Sequence, residues 1–172
     1  MRTFLGFLLT GLFLTSCASV QEVPATKLEK ANVLPLTIND HFQFRKAKLY
    51  FNDPEAKQPN TTSEPVTFER LRMNFGAVSS YERNHRAGNY FTFFWRTSET
   101  ADVTVRLEFR QAALGDYVMA QERYYPSAHG SYKSDFEVIG DDYLENGRVT
   151  SWRVLLITEG HIVAVKQSFM WR

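Results

Sequence analysis

Residues 102–110 read DVTVRLEFR, and how this stretch is read decides the fold. Val103, Val105, Leu107 and Phe109 fall on one side of an extended chain. Asp102, Thr104, Arg106, Glu108 and Arg110 fall on the other. Successive side chains of a strand point to opposite faces, so this alternation describes a strand with one face on a core and a charged face expected in water. YFTFFWR (90–96) alternates in the same way, and TSETA (97–101) between them reads as a five-residue hairpin loop. Near the C-terminus SWRVLLI (151–157) and IVAVKQSFMW (162–171) flank Thr158-Glu159-Gly160-His161, a turn signal.

Further strands are expected at 42–51, 66–75, 117–125 and 131–139, and no window carries a convincing helical period. About eight strands with regularly spaced turns predict an all-β protein, an antiparallel β-sandwich of immunoglobulin-like character. That label rests on strand count and spacing, because the chain lacks the Cys-Trp-Cys pattern of immunoglobulin domains. A membrane-spanning barrel is set aside: the expected strands are shorter than about 9–11 residues, and their second face carries Arg106, Glu108 and Arg110. In FQFRKAKLYF (42–51) and VTFERLRMNF (66–75) the apolar alternation slips by one residue, at Arg45-Lys46 and at Glu69-Arg70. Each slip needs a bulge or a bend from one sheet to the other.

The beginning of the chain has a different character. Met1-Arg2 is followed by TFLGFLLTGLFL, twelve residues without a charge. A basic start, a short apolar stretch and a small-residue exit describe a secretory signal peptide over 1–16; the apolar run falls short of the roughly 20 residues a spanning helix needs. Cys17 is the sole cysteine of the chain. Leu14-Thr15-Ser16-Cys17 resembles the lipobox of bacterial lipoproteins. The resemblance implies cleavage before Cys17, a diacylglyceryl thioether on its sulfur and palmitate-like acylation of the new amino group. The partner so implied is a lipid bilayer, held by two or three chains where one would be marginal. In such proteins an Asp after the cysteine favours the inner membrane; Ala18 stands there, which leans towards the outer membrane of a two-membrane bacterium.

Without residues 1–16 the basic count falls from 20 to 19, by Arg2, against 19 acidic residues. A neutral chain lacks the basic stripe of a nucleic-acid binder, and nucleic acid is not an expected partner. Residues 17–40, the lipidated cysteine and a proline-containing polar stretch, read as a tether whose 18–40 portion could reach at most about 75 Å. A first edge strand at VLPLTI is the alternative. Residues 41–172 then form the sandwich domain, with exposed connections at 52–65 and 76–89.

The four histidines, His41, His85, His129 and His161, show no ligand spacing, and no nucleophile elbow or phosphate loop occurs. No enzyme activity and no cofactor are therefore expected. GDDYLENG (140–147) offers Asp141, Asp142 and Glu145 as oxygen ligands for calcium, but without EF-hand spacing; it reads first as a solvated turn between two glycines. Trp95 and Trp152 sit on alternating strands and read as core. Tyr124, Tyr125 and Tyr143 are the candidate ligand contacts. The expected role is a non-catalytic binding or structural module of the cell envelope, with an envelope protein or a glycan as partner. The alternatives are a glycan-binding module and a hydrolase of envelope polymers.

Overall fold

In the computed structural model the described residues are 23–53 and 64–171. The signal segment 1–16, Cys17 and most of the 52–65 connection lie outside them. One six-stranded antiparallel sheet organises the rest: β1 (Thr26–Leu28), β2 (Phe42–Asn52), β3 (Gly88–Gln111), β4 (Met119–Ile139), β5 (Val149–Thr158) and β6 (His161–Gln167). The order is β1-β4-β3-β5-β6, and β2 also pairs with β3. The residues expected to alternate do so. Val103, Val105 and Leu107 are fully buried, as are Phe93 and Trp95 on the preceding stretch.

The expected hairpin at 97–101 is corrected. Chain direction is not reversed there; β3 runs on for 24 residues and bends. Its register with β4 shifts between Thr97 and Ala101 and again before Val103. Thr97 Oγ1 donates to Glu99 O (2.7 Å) and accepts from Glu99 N (3.2 Å), a local knot that takes the place of ladder bonds. β4 bends opposite, so the expected strands 117–125 and 131–139 are one element of 21 residues. A straight strand would put Asn89 and Gln111 about 73 Å apart. Instead the two residues meet at Val149, which is paired with Gln111 and donates its N–H to Asn89 Oδ1 at 2.9 Å. In β4, Gln121 Nε2 likewise reaches Glu137 O at 2.9 Å.

The sheet therefore folds over on itself. Its first layer is β2 with the N-terminal half of β3 and the C-terminal half of β4; its second is the remaining halves with β1, β5 and β6. Between them lies a single core, in which the Phe93 and Trp152 rings are 5.3 Å apart and Phe93 and Phe136 are 6.2 Å apart. An antiparallel, mostly β fold is what the sequence led one to expect. About eight strands become six, and a single bonded sheet supplies both layers where an immunoglobulin domain uses two. The short-strand argument against a barrel also fails, since β3 and β4 are long.

Three short helices correct the all-β reading: α1 (Glu64–Met73), α2 (Ser80–His85) and α3 (Asp141–Asn146). α1 occupies the stretch expected as a bulged strand at 66–75; Phe68, Leu71 and Phe75 recur at helical, not strand, spacing. α2 is started by a capping box, with Glu82 N donating to Ser79 Oγ (3.1 Å) and Ser79 N to Glu82 Oε2 (2.8 Å). The bond from Ser79 N, one from Val78 N and one from the Ser79 hydroxyl (3.0 Å) hold the Glu82 carboxyl below its ordinary range. Among the described residues, no helix is long and apolar enough to cross a membrane.

Two local expectations hold. β2 shifts register between Phe44 and Lys46, at the expected slip. Glu159 (φ 50°) and Gly160 (φ 74°) turn β5 into β6 with two left-handed residues, as a type I′ hairpin requires. The free tether is corrected from Val23 onward. β1 pairs with Glu122, Gln121 and Ala120 of β4, and Leu36 forms a parallel bridge to Ile162. Thr37 N and Asn39 N donate to Ile162 O (2.8 Å) and Val163 O (3.0 Å). We call residues 23–39 the strap.

Candidate functional site

Each layer has an outer face, and the two faces are finished differently. On the second layer Arg106, Glu108, Glu122 and Arg153 stand side by side on three neighbouring strands, because Arg106 is paired with Glu122 and Glu108 with Arg153. Arg106 Nε bonds Glu122 Oε1 at 2.5 Å, Arg153 Nε bonds Glu108 Oε2 at 2.5 Å, and Arg106 Nη1 lies 3.7 Å from Glu108 Oε1. These charges were expected in water. The strap passes over them, leaving Arg106 7% and Glu108 3% exposed, and Arg106 Nη1 donates to Asn32 O at 2.9 Å. A cleft of about 550 Å³ lies between strap and sheet. Two cations and two anions neutralise each other, so this row supports the strap and offers no net charge to a ligand.

The first layer's outer face carries Tyr90, Thr92 and Phe94 of β3 between Lys48 and Tyr50 of β2 and Lys133 of β4. α1 stands off this face and leaves a groove of about 600 Å³, to which it contributes Phe68, Glu69, Arg72 and Met73. Phe68 is 64% exposed, Leu71 67% and Phe75 84%. Val78 and Tyr81, at the start of α2, are exposed as well. Tyr90 anchors the groove floor: its hydroxyl donates to Arg86 O at 2.8 Å, and burial, aided by Glu137, pushes it up to about 12. Lys48 lies 5.9 Å from the Phe94 ring centroid.

A third, polar cleft of about 410 Å³ is lined by Asn39, Glu99, Thr158, Glu159 and His161 among others. His161 Nδ1 bonds the backbone oxygen of Glu159 at 2.9 Å, and Asn39 Nδ2 donates to Glu99 Oε1 at 3.4 Å. His41 pairs with Ser98 Oγ (2.7 Å) and His85 with Tyr81 O (3.1 Å).

The residues singled out from sequence are not brought together. Tyr124 is half exposed, but its hydroxyl donates to Asp102 Oδ2 at 2.8 Å. Asp102 also accepts from Ser127 N at 2.8 Å; that bond and the Tyr124 bond hold its carboxyl below the ordinary range and raise the tyrosine. The pair secures the bend of β4, where Ser127 takes φ 47°. Tyr125 faces inward, edge-on to Trp95 at 5.2 Å and bonded to Ser134 Oγ at 2.7 Å. With Tyr132 stacked on Trp95 at 4.7 Å, these rings have spent their faces on one another. Tyr143, on α3, packs edge-on against Phe51 at 5.7 Å. Asp141 and Asp142 open α3 between Gly140 (φ 60°) and Gly147 (φ 76°); Asp142 is ion-paired with Lys27, and Glu145 is exposed. Among the described residues no group of three His, Cys, Asp or Glu side chains could hold a metal ion.

Sequence reasoning missed the groove because it missed α1. The signal was present: Pro65 in the first turn of an apolar pattern spaced 68, 71, 75. Comparison with protein families, with characterised proteins and with solved structures finds no match for this chain.

Proposed function

We propose that this chain is a lipid-anchored protein of the cell envelope, in the outer membrane of a two-membrane bacterium, and acts as a non-catalytic binding module. Its binding surface is the groove between α1 and the first layer. The observation that carries the binding reading is the open groove itself, with the exposed Phe68 of α1 on one side and Tyr90 and Phe94 of β3 on the other. The anchor reading rests on Leu14-Thr15-Ser16-Cys17 after an apolar leader. The strap adds a distance. Five residues separate Cys17 from Val23, a span of at most about 20 Å, so an anchored body lies close against the bilayer.

Intact-mass analysis of membrane-extracted protein tests the anchor. The expected product begins at Cys17 and carries acyl chains, and a Cys17→Ser variant leaves the membrane fraction. A product without acyl mass, or with residues 1–16 retained, overturns it.

A second reading, a hydrolase of envelope polymers, is favoured by one observation: the polar cleft brings His161, Glu99 and Glu159 to one rim. Turnover of a cell-wall polymer lost in His161→Ala would support it; no turnover by the wild type would remove it.

A further inference from the structure

We infer that the groove between α1 and β2–β3–β4 takes a single-chain anionic amphiphile, a fatty acid or a lysophospholipid, with its chain along Phe94 and its head at Lys48. This deepens the binding-module reading and rests on it.

Three features of the groove select that chemistry. Part of its lining is apolar: Tyr50, Tyr90 and Phe94 lie on the sheet side, and Phe68 and Met73 come from α1. Its volume of about 600 Å³ lies within the range of sites for small organic ligands, roughly 300–1,000 Å³.

Charge supplies the rest. The cations at the groove are Lys48, Arg72 and Lys133, and the acid lining it is Glu69. Arg72 is bonded to Glu69 at 2.9 Å, and Lys133 to Asp135 at 2.6 Å. Thr92 Oγ1 also donates to Asp135, which fixes that carboxylate on the far side. Lys48 forms no ion pair among the described residues, and neither does Lys46 beside it on the same face of β2. An anion at Lys48 would offset one of these two ammonium groups, and a cationic head would be repelled by both. The further acid of this face, Glu137, stands opposite Tyr90 on β4. Lys48 already lies near the Phe94 ring, so head and chain sites adjoin. The opposite outer face lacks this offer, since its two arginines are already matched by Glu108 and Glu122.

The test titrates the full chain, as Cys17→Ser and free of detergent, with dansyl-labelled undecanoic acid and with the same probe carrying an uncharged amide head. Because that variant has no lipid site, the result does not depend on the anchor, and failure of one reading is distinguishable from failure of the other. Saturable one-to-one binding of the acid is expected, with the amide at least about tenfold weaker. Lys48→Glu should weaken the acid about tenfold and leave the amide unchanged. Phe94→Glu, on an outward position that leaves the core intact, should abolish both, with an unaltered circular-dichroism spectrum. Palmitate and lysophosphatidylglycerol should displace the probe. No saturable binding, equal affinity for acid and amide, or undiminished binding by Phe94→Glu each overturns the proposal.

Discussion

The two outer faces of one folded-over sheet are finished in opposite ways. Over the second layer, charged side chains lie buried beneath a polar strap; over the first, aromatic side chains lie open beside a helix that stands away from them. Residue type alone would have assigned water to the first set and a cover to the second. What decides is pairing. Arg106, Glu108, Glu122 and Arg153 satisfy one another, so covering them costs little, whereas among the described residues Phe68 is left 64% exposed and Phe94 half-buried. A closed face supports the fold, and an unfinished one is available to a ligand.

Arg106→Ala should give the largest departure. It leaves the partly exposed Glu122 without its cation and Glu108 with Arg153 alone; breaking a fully buried pair costs about 3–5 kcal/mol, and this network should lose an amount near the lower end of that range. Lys48→Ala on the other face should stay within about 0.5 kcal/mol, as surface substitutions do. Chemical denaturation of both variants measures the contrast; equal effects would erase the distinction between the faces.

Tyr90→Phe sharpens the account of the groove floor. The folded-state hydroxyl titrates at about 12, above the ordinary tyrosine value near 10. A raised folded-state value means that its contribution is complete below about pH 10 and is lost as pH rises through about 12. Thermal midpoints followed across that window should fall for the wild type and fall less for Tyr90→Phe. The same slope in both would place the alkaline sensitivity elsewhere.

Phe68→Ser should have the smallest effect, within about 0.5 kcal/mol of the wild type, because a side chain 64% exposed contributes little to folding. A cost of several kcal/mol would mean that α1 is packed more tightly than its open groove implies.

Much of the layer structure was legible in the sequence, because alternation is a local signal. DVTVRLEFR, the slip at Arg45-Lys46 and the Glu159-Gly160 turn are each decided within ten residues. The bend of β3 was not, although a trace of it exists. Apolar positions that face the core keep odd numbers from Phe91 through Trp95 to Val103 and Phe109, the continuous phase of one strand. A hairpin loop of five residues was the simpler reading of TSETA, since nothing local says that the chain bends without reversing. The strap was illegible for a stronger reason. Its bonds to Glu122, Arg106 and Ile162 join residues far apart in sequence, and its own two prolines and mixed charges read as a linker. Of the candidate contacts, Tyr124 and Tyr125 have partners, Asp102 and Ser134, that become visible only once β4 folds over.

The central claim is that residues 23–39 are fixed to the sheet as a cover over the charged row, which sets that face apart from the one carrying the groove. Amide hydrogen exchange of the full chain tests it most directly, read at Thr37 and Asn39, whose N–H groups donate to Ile162 and Val163. The account predicts protection at both that persists as long as that of the β5–β6 ladder. Exchange at the rate of an unstructured peptide would contradict it, and would return the segment to the role of a loose tether.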